Sequence, residues 1–524
     1  MMESLSTFNQ IQVELVGTIQ NPYELSVASA RTCYSGKGVI YPADVSKDER
    51  AVALRDKIAS STLEAGHLTT RQHAHFVFAL SGVSRQFIWS FLHSHPFYNS
   101  EQVSQRYVKV KPSSFLVPPL SAPARKIYEN AARAQMETYE KLITVLRAPI
   151  RGDYYDRFKS RKKYSDKWDP QVEKRLYEVA RYALGVGTTA YLYHTVSALT
   201  LLRYWRLCQE FETPQEQKIV VEKMLAAVKA TDPLFEKEIQ DPLPLEKTLE
   251  FSWMQNQKAH FQVGSTKFIE EFDAKLGSRT SKLVQYTHDA ETILAQSLRT
   301  AVGKTEQELS NSRALETLLD PKNNPILADT LNAGTFDRLS QVFHHVHFTF
   351  KKKISHTADS QDQRHRLVMS SRPLLVTHFT GKADFITPFG ITQSEEATEI
   401  YNHSMESSFQ AVAQLIDLGE SPEAAFYLLP NSTAIRMIST GDLQAYQHKW
   451  KMRSCYNAQE EIFRATIDEI QQVKAVAPTI AEHLRAPCYL RLRAGITPYC
   501  PEGDRYCGLP VWKYSIDDYQ RKSL

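Results

Sequence analysis

Cysteine is scarce in this chain, six residues among 524. No disulfide framework can hold a chain of this size on so few thiols, and a reducing, cytoplasmic compartment is expected. Long hydrophobic runs are missing too. The most apolar stretch, "AYLYHTVSALTLLRYW" at 190–205, is interrupted by His194 and Arg203, so no transmembrane span is expected. The first residues, "MMESLSTFNQIQVELVG", show no basic start followed by an apolar run, and no secretory leader is expected. A strong charge of either sign is also lacking: Lys plus Arg number 63, Asp plus Glu 59, for a net +4. That surplus suits an anionic small molecule. It is too weak to argue for nucleic acid, and no basic–aromatic platform is present.

What is present is enough for packed cores. Hydrophobic residues make up 42% and charged residues 23%, which excludes wholesale disorder, and 524 residues exceed one ordinary domain. Residues 51–66 read as a helix and "HFVFAL" (75–80) as a strand. "SRQFIWSFLHSH" (84–95) reads as a helix capped by Ser84. "SQRYVKV" (104–110) alternates like a strand, a long helix follows over 122–147, and the charged stretch 151–170 reads as a loop. Residues 170–187 and 188–208 read as two more helices. Residues 240–280, opening on "DPLPLEK", read as a linker.

Then the pattern restarts. "NPYELSVASARTCYSG" (21–36) resembles "THDAETILAQSLRTAVG" (287–303), with Arg31-Thr32 opposite Arg299-Thr300. "QHAHFVFAL" (72–80) resembles "FHHVHFTFK" (343–351), with His73 opposite His345. Residues 180–208 match 425–454, with Trp205 opposite Trp450. Three matches in the same order indicate a diverged tandem duplication. The expected division is a first repeat over 1–245, a second over 246–475 and a Cys-rich tail over 476–524. The expected class is mixed α/β, each repeat carrying a small mixed sheet and long helices.

Two stretches carry chemistry. In "HTADSQDQRHRLVM", helical spacing places Gln361, Arg364 and His365 on one face. An amide, a guanidinium fork and an imidazole together suit phosphate or planar carbonyl oxygens; a basic solvated face is the ordinary alternative. In "SEQVSQRYV", strand alternation places Ser104 and Arg106 on one side, a hydroxyl and a guanidinium apt to cradle phosphate; an ordinary exposed strand is the alternative that local evidence favours. Arg181, in apolar "YEVARYALG", needs an acceptor if buried, and Arg453 in "KWKMRSC" is similar. His67, in "EAGHLTT", follows a glycine at a helix end.

Taken together and in order, these stretches resemble the flavin-dependent thymidylate synthase family, over roughly 10–220 and 280–470. The family pattern joins Arg-His-Arg to a following Ser-x-Arg-Tyr, with a Gly-His element before a Phe-Thr-Phe strand, an Ala-Arg-x-x-Leu-Pro helix and a late Arg before Ala-Gln. Neither repeat is complete. The first keeps Gly66-His67, His73, "SEQVSQRY" and Arg181; it has "LHSHPF", with His93 and His95, in place of Arg-His-Arg, and Cys208 in place of the late Arg. The second keeps Gln361, Arg364-His365-Arg366, "HFTF", "LLP" and Arg453; it lacks Ser-x-Arg-Tyr, and has Phe426 for the Arg of Ala-Arg and Leu339 opposite His67.

The resemblance implies a flavin-dependent methyltransferase that converts dUMP to dTMP with FAD, NADPH and methylenetetrahydrofolate. Its site would be assembled from complementary halves of the two repeats. It implies nucleotide binding by Ser104, Gln105, Arg106, Arg181, Gln361 and Arg453, with Arg453 also catalytic, meeting charge that grows on the pyrimidine. It implies flavin binding by His67, Glu101, Gln102, Arg364, His365, Arg366, Asp442 and His448. The family's Asn positions on the late helix read Asp442 and His448 here, which leaves open a flavoenzyme acting on another pyrimidine nucleotide, or a non-catalytic nucleotide- or flavin-binding protein. A homodimer of fused repeats would reproduce the family's four-subunit assembly. Separately, His483, Cys488, Cys500 and Cys507 supply the number of soft ligands a structural zinc takes, at spacings unlike the usual fingers; no metal is assigned from the sequence.

Overall fold

The computed structural model describes residues 8, 10–211 and 213–520, with the backbone alone over 256–265. Each repeat folds around a four-stranded antiparallel sheet. The first has the order β1-β2-β4-β3, from β1 (Gln12–Thr18), β2 (His75–Ser84), β3 (Asn99–Gln102) and β4 (Thr189–Ser197). The second repeats it as β5-β6-β8-β7, from β5 (Ser281–Tyr286), β6 (His347–Ser355), β7 (Met369–Ser371) and β8 (Ala434–Asp442). The mixed sheet expected from the sequence is thus antiparallel throughout.

The duplication is legible in the register. Phe76 faces Val196 and Phe78 faces His194 in the first sheet; Phe348 faces Gly441 and Phe350 faces Ser439 in the second. The β2–β4 pairing shifts between Ser81 and Val83, at Gly82, whereas β6 pairs with β8 without a break. Gly82 has φ +71°, and a Cβ there would lie 2.2 Å from the carbonyl oxygen of Gln10, so this bulge accepts only glycine.

Four strands run directly into helices through one device. Ser84, Ser197, Ser355 and Asp442 end β2, β4, β6 and β8, and each side chain accepts an N–H from the next helix: that of Phe87, Thr200, Ala358 and Ala445. Each such cap contributes about 1 kcal/mol. The helices so started are Arg85–Ser94, Ala198–Glu210, His356–Asp362 and Leu443–Arg453.

Several elements differ from the sequence reading. Residues 188–208 are β4 followed by a helix, because "TAYLYHTVS" alternates buried and accessible positions before Ser197 caps. The charged stretch 151–170 is largely helical: Ala122–Arg157 runs on through it, and Ser165–Ala180 begins within it. Charges pair across the two helices, Arg151 with Asp169 within the stretch and Arg147 with Glu173 just outside it. The stretch read as a linker holds the helix Leu249–Leu276. The strand expected over 104–110 lies earlier, at β3. After it the Ser104 hydroxyl accepts the N–H of Arg106 at 3.2 Å, and the Ser104 carbonyl accepts those of Tyr107 and Val108, a local alternative to a ladder that serine offers.

The chain packs as two compact units. One comprises residues 8–134, 185–264 and 408–429; the other comprises 135–184, 265–407 and 430–520. In the first, Phe76, Phe78, Phe87, Phe91 and Tyr204 are buried together. In the second, Phe348, Phe350, Tyr446 and Trp450 form a buried aromatic cluster, with Tyr446 stacked on Trp450 at 4.6 Å.

Candidate active site

The second unit gathers Arg181, Gln361, Arg364, His365, Arg366, Asp442, His448 and Arg453. The helix His356–Asp362 stops earlier than its sequence suggests, so Arg364 and His365 lie in a turn and not on the helical face expected of them. The reason is a contact from far along the chain. The Gln361 carbonyl, which would accept the N–H of His365 in a continuing helix, instead accepts from Nη2 of Arg453 at 3.0 Å and from the N–H of Arg364 at 3.3 Å. Arg453 also donates its Nε–H to Nε2 of His365 at 2.9 Å. Burial, and then the positive Arg453, hold His365 well below its usual pKa range, so the ring is neutral and keeps the lone pair this bond requires. His448 lies one turn before Arg453, its ring 5.6 Å from that of His365, and burial lowers its pKa as well. Asp442 caps the helix carrying both and bonds Nδ1 of His344 at 2.6 Å.

Behind Gln361 a closed chain of hydrogen bonds fixes the helix. Its amide donates to Oε1 of Gln459, whose own amide donates to the Tyr182 hydroxyl. Tyr182 donates to Glu461 at 2.6 Å, and Glu461 accepts both the N–H and the hydroxyl of Ser355, the cap that starts the helix. Tyr182 follows Arg181 in the chain. Arg181 is itself buried, its Nε–H directed to the carbonyl of Glu178 at 3.3 Å. The first unit carries the same device with partners at matching positions: Glu216 accepts from the N–H and hydroxyl of Ser84 and from the hydroxyl of Tyr427. Tyr182, Gln459 and Glu461 were missed in the sequence. The signal was there, since Tyr182 and Tyr427, and Glu216 and Glu461, are identical pairs once Trp205 is set against Trp450.

Beneath the site lie four buried charges. Asp362 accepts from Lys449 at 2.7 Å and stands 3.6 Å from Lys352; Lys352 meets Glu469 at 2.5 Å, and Glu469 also accepts from Trp450. Burial pushes Lys449 down to about 8, while against the cost of burial Lys449 and Lys352 hold Asp362 well below its usual range. The matching positions of the first repeat are Leu80, Phe91, Tyr204 and Met224, all buried. A neutral ionic cluster thus replaces an apolar one only under the repeat that kept Arg-His-Arg.

The remaining sequence candidates lie in the first unit. His67 is exposed just past the end of the helix Glu49–Glu64. Glu101 is exposed on β3, and Gln102 accepts from Arg85 at 2.9 Å. Ser104, Gln105 and Arg106 form the turn after β3, with Gln105 buried.

In the tail, the structure groups Cys488, Cys500 and Cys507 with Cys455 around one cavity of about 20 Å³; His483 is not among the lining residues. All six cysteines are free. Among the described residues no three His, Cys, Asp or Glu side chains form a group that holds a metal ion in their present positions, and no helix is long and apolar enough to cross a membrane.

Residues 14–234 and 282–479 match the family described as thymidylate synthase complementing protein. The chain belongs to that family, twice over. The relatives it resembles place it in the class of flavin-dependent methyltransferases. The flavin-dependent thymidylate synthase of Geobacter sulfurreducens is 30% identical over 170 residues, covering 32% of this chain and 70% of that protein. That of Clostridium tetani is 26% identical over 226 residues, covering 43% and 84%. A solved UMP/dUMP methylase, PolB of Streptomyces cacaoi with 5-Br dUMP bound, is 20% identical and covers 44% of this chain and 93% of that one, at a TM-score of 0.32.

Proposed function

We propose that this chain makes dTMP from dUMP by reductive methylation, with methylenetetrahydrofolate as one-carbon donor and NADPH as reductant. The substrate would be held by residues that the two repeats divide between them. Arg181 is the observation that carries this reading. It survives only in the first repeat, yet it packs in the unit that holds Gln361 and Arg453 of the second, and Tyr182 beside it joins the hydrogen-bond chain that fixes Gln361. Ser104, Gln105 and Arg106 of the first repeat would complete the nucleotide site, a hydroxyl, an amide and a guanidinium for the phosphate.

The donor set in the second unit fits FAD. Arg364 is exposed, Arg366 and Arg453 are half-exposed, and His365 and His448 are held neutral, which suits a pyrophosphate beside a neutral ring system. Arg364, His365, Arg366 and His448, with Asp442, would hold the flavin, and His67, Glu101 and Gln102 would be the first repeat's contribution. Bound there, FAD supplies the two-electron chemistry. The protein's own part is positioning. Arg453 is pinned by His365 and the Gln361 carbonyl, so its guanidinium costs little reorganisation when negative charge grows on the pyrimidine oxygens. A homodimer is part of the proposal, as is a reducing cytoplasm, in keeping with six free thiols.

Purified protein should be yellow, and dUMP titrated against it should perturb the flavin spectrum. A colourless protein that takes up no FAD at micromolar concentration removes the reading.

A further inference from the structure

Four of the chain's six cysteines come from distant places in the sequence and line one cavity. Cys455 lies two residues beyond Arg453, Cys488 on the short helix Pro487–Arg493, and Cys500 and Cys507 in the following segment, where turns and bends replace regular helix. The cavity holds about 20 Å³, room for one water-sized body. Tyr456, Tyr506 and Trp512 line it as well.

We propose that Cys455, Cys488, Cys500 and Cys507 form a structural zinc site that fastens the tail to the end of the Arg453 helix. Thiolate is the metal-binding form of cysteine; as a thiol, Cys507 donates to the Leu509 carbonyl at 3.7 Å. Four thiolates around Zn²⁺ carry a net negative charge. Arg157, which donates to the Cys507 carbonyl at 3.4 Å, stands near enough to offset it, and Glu502 also lines the cavity.

Each thiol that binds a dication loses its proton to water, with no electron transferred. Since no three of the side chains share a ligating point in their present positions, binding requires the sulfurs to turn inward about χ1, among staggered wells open to cysteine. Tail segments with little regular structure are where such a staple contributes most to folding.

The test uses the full chain, expressed with zinc in the medium. Expected are one zinc per chain by elemental analysis, release of that zinc when a mercurial blocks four thiols, and a thiolate-to-metal charge-transfer band when Co²⁺ replaces it. Cys500→Ser and Cys507→Ser should each lose the metal, while Cys33→Ser, whose thiol is exposed and outside the cavity, should keep it. If the first two variants do not fold, wild-type protein stripped with a chelator should melt at lower temperature and recover with Zn²⁺ alone. Wild-type protein with no zinc and no cobalt band overturns the proposal, as does protein that holds iron and sulfide there.

Discussion

Arg453 donates its Nε–H to Nε2 of His365 at 2.9 Å, across 88 residues of chain. The bond exists only while that nitrogen is unprotonated, so the charged guanidinium excludes a charge on the imidazole. It also explains why helix gives way to turn after Asp362: the same guanidinium takes the Gln361 carbonyl.

Arg453→Ala should therefore raise the pKa of His365, since Arg453 is its largest source of depression after burial. Burial remains, so the value should stay below the ordinary one near 6.5. NMR titration of the His365 ring checks this. No change on substitution would mean that the pair is not formed in solution.

The ionic cluster under the site predicts an asymmetry between breaking it and replacing it. Lys449→Met leaves Asp362 with only Lys352, at 3.6 Å, and should cost about 3–5 kcal/mol, as loss of one partner of a buried pair does. Installing the first repeat's residues together, Lys352→Leu, Asp362→Phe, Lys449→Tyr and Glu469→Met, should recover most of that stability, because an apolar cluster needs no charge compensation. Denaturant midpoints of the two variants decide it. Equal losses would show that the second repeat cannot accommodate the apolar set.

Sequence pattern read some of this well and some badly, for identifiable reasons. Ser84 was legible as a cap because a polar residue precedes a dense apolar helix. The β4 strand was not, because "TAYLYHTVS" runs straight into "ALTLLRYW" and the apolar count hides the change from period 2 to 3.6. Gln361, Arg364 and His365 stood out in the sequence by their chemistry, while their geometry was misread: the helix end is set by Arg453, a distant contact that local spacing does not encode. The charges at Lys352, Asp362, Lys449 and Glu469 were invisible for the same reason. Each looks like an ordinary surface residue until the fold buries it.

The paired carboxylates Glu216 and Glu461 give a pH dependence. Burial raises both, Glu216 to about 7. An unfolded glutamate titrates near 4.3, so between those values the folded state holds more protons. Stability is then fully present below about pH 4.3 and is lost as pH rises to about 7, by on the order of 3 kcal/mol for Glu216. Glu216→Gln should flatten the fall of the melting temperature across this window, and Glu461→Gln should flatten it further. Melting curves from pH 5 to 8 check the sign, and a slope that stays as steep in the double variant would refute it.

The proposal of a site divided between the repeats is tested by Arg106→Ala and Arg453→Ala, which lie in different repeats. Loss of one charge-assisted contact to a bound anion costs roughly 1.5–3 kcal/mol, about ten- to a hundredfold in affinity. Both variants should weaken dUMP binding by that amount, measured by titration of the flavin spectrum. They should differ in turnover. On the proposed roles, Arg106 meets a phosphate whose charge does not change during reaction and should act mainly on KM, whereas Arg453 meets charge that grows on the pyrimidine and should also lower kcat. Arg147→Ala, at a surface pair with Glu173, should change neither. Circular dichroism first establishes that each variant is folded. The idea does not survive a titration in which folded Arg106→Ala and Arg453→Ala both bind dUMP like the wild type.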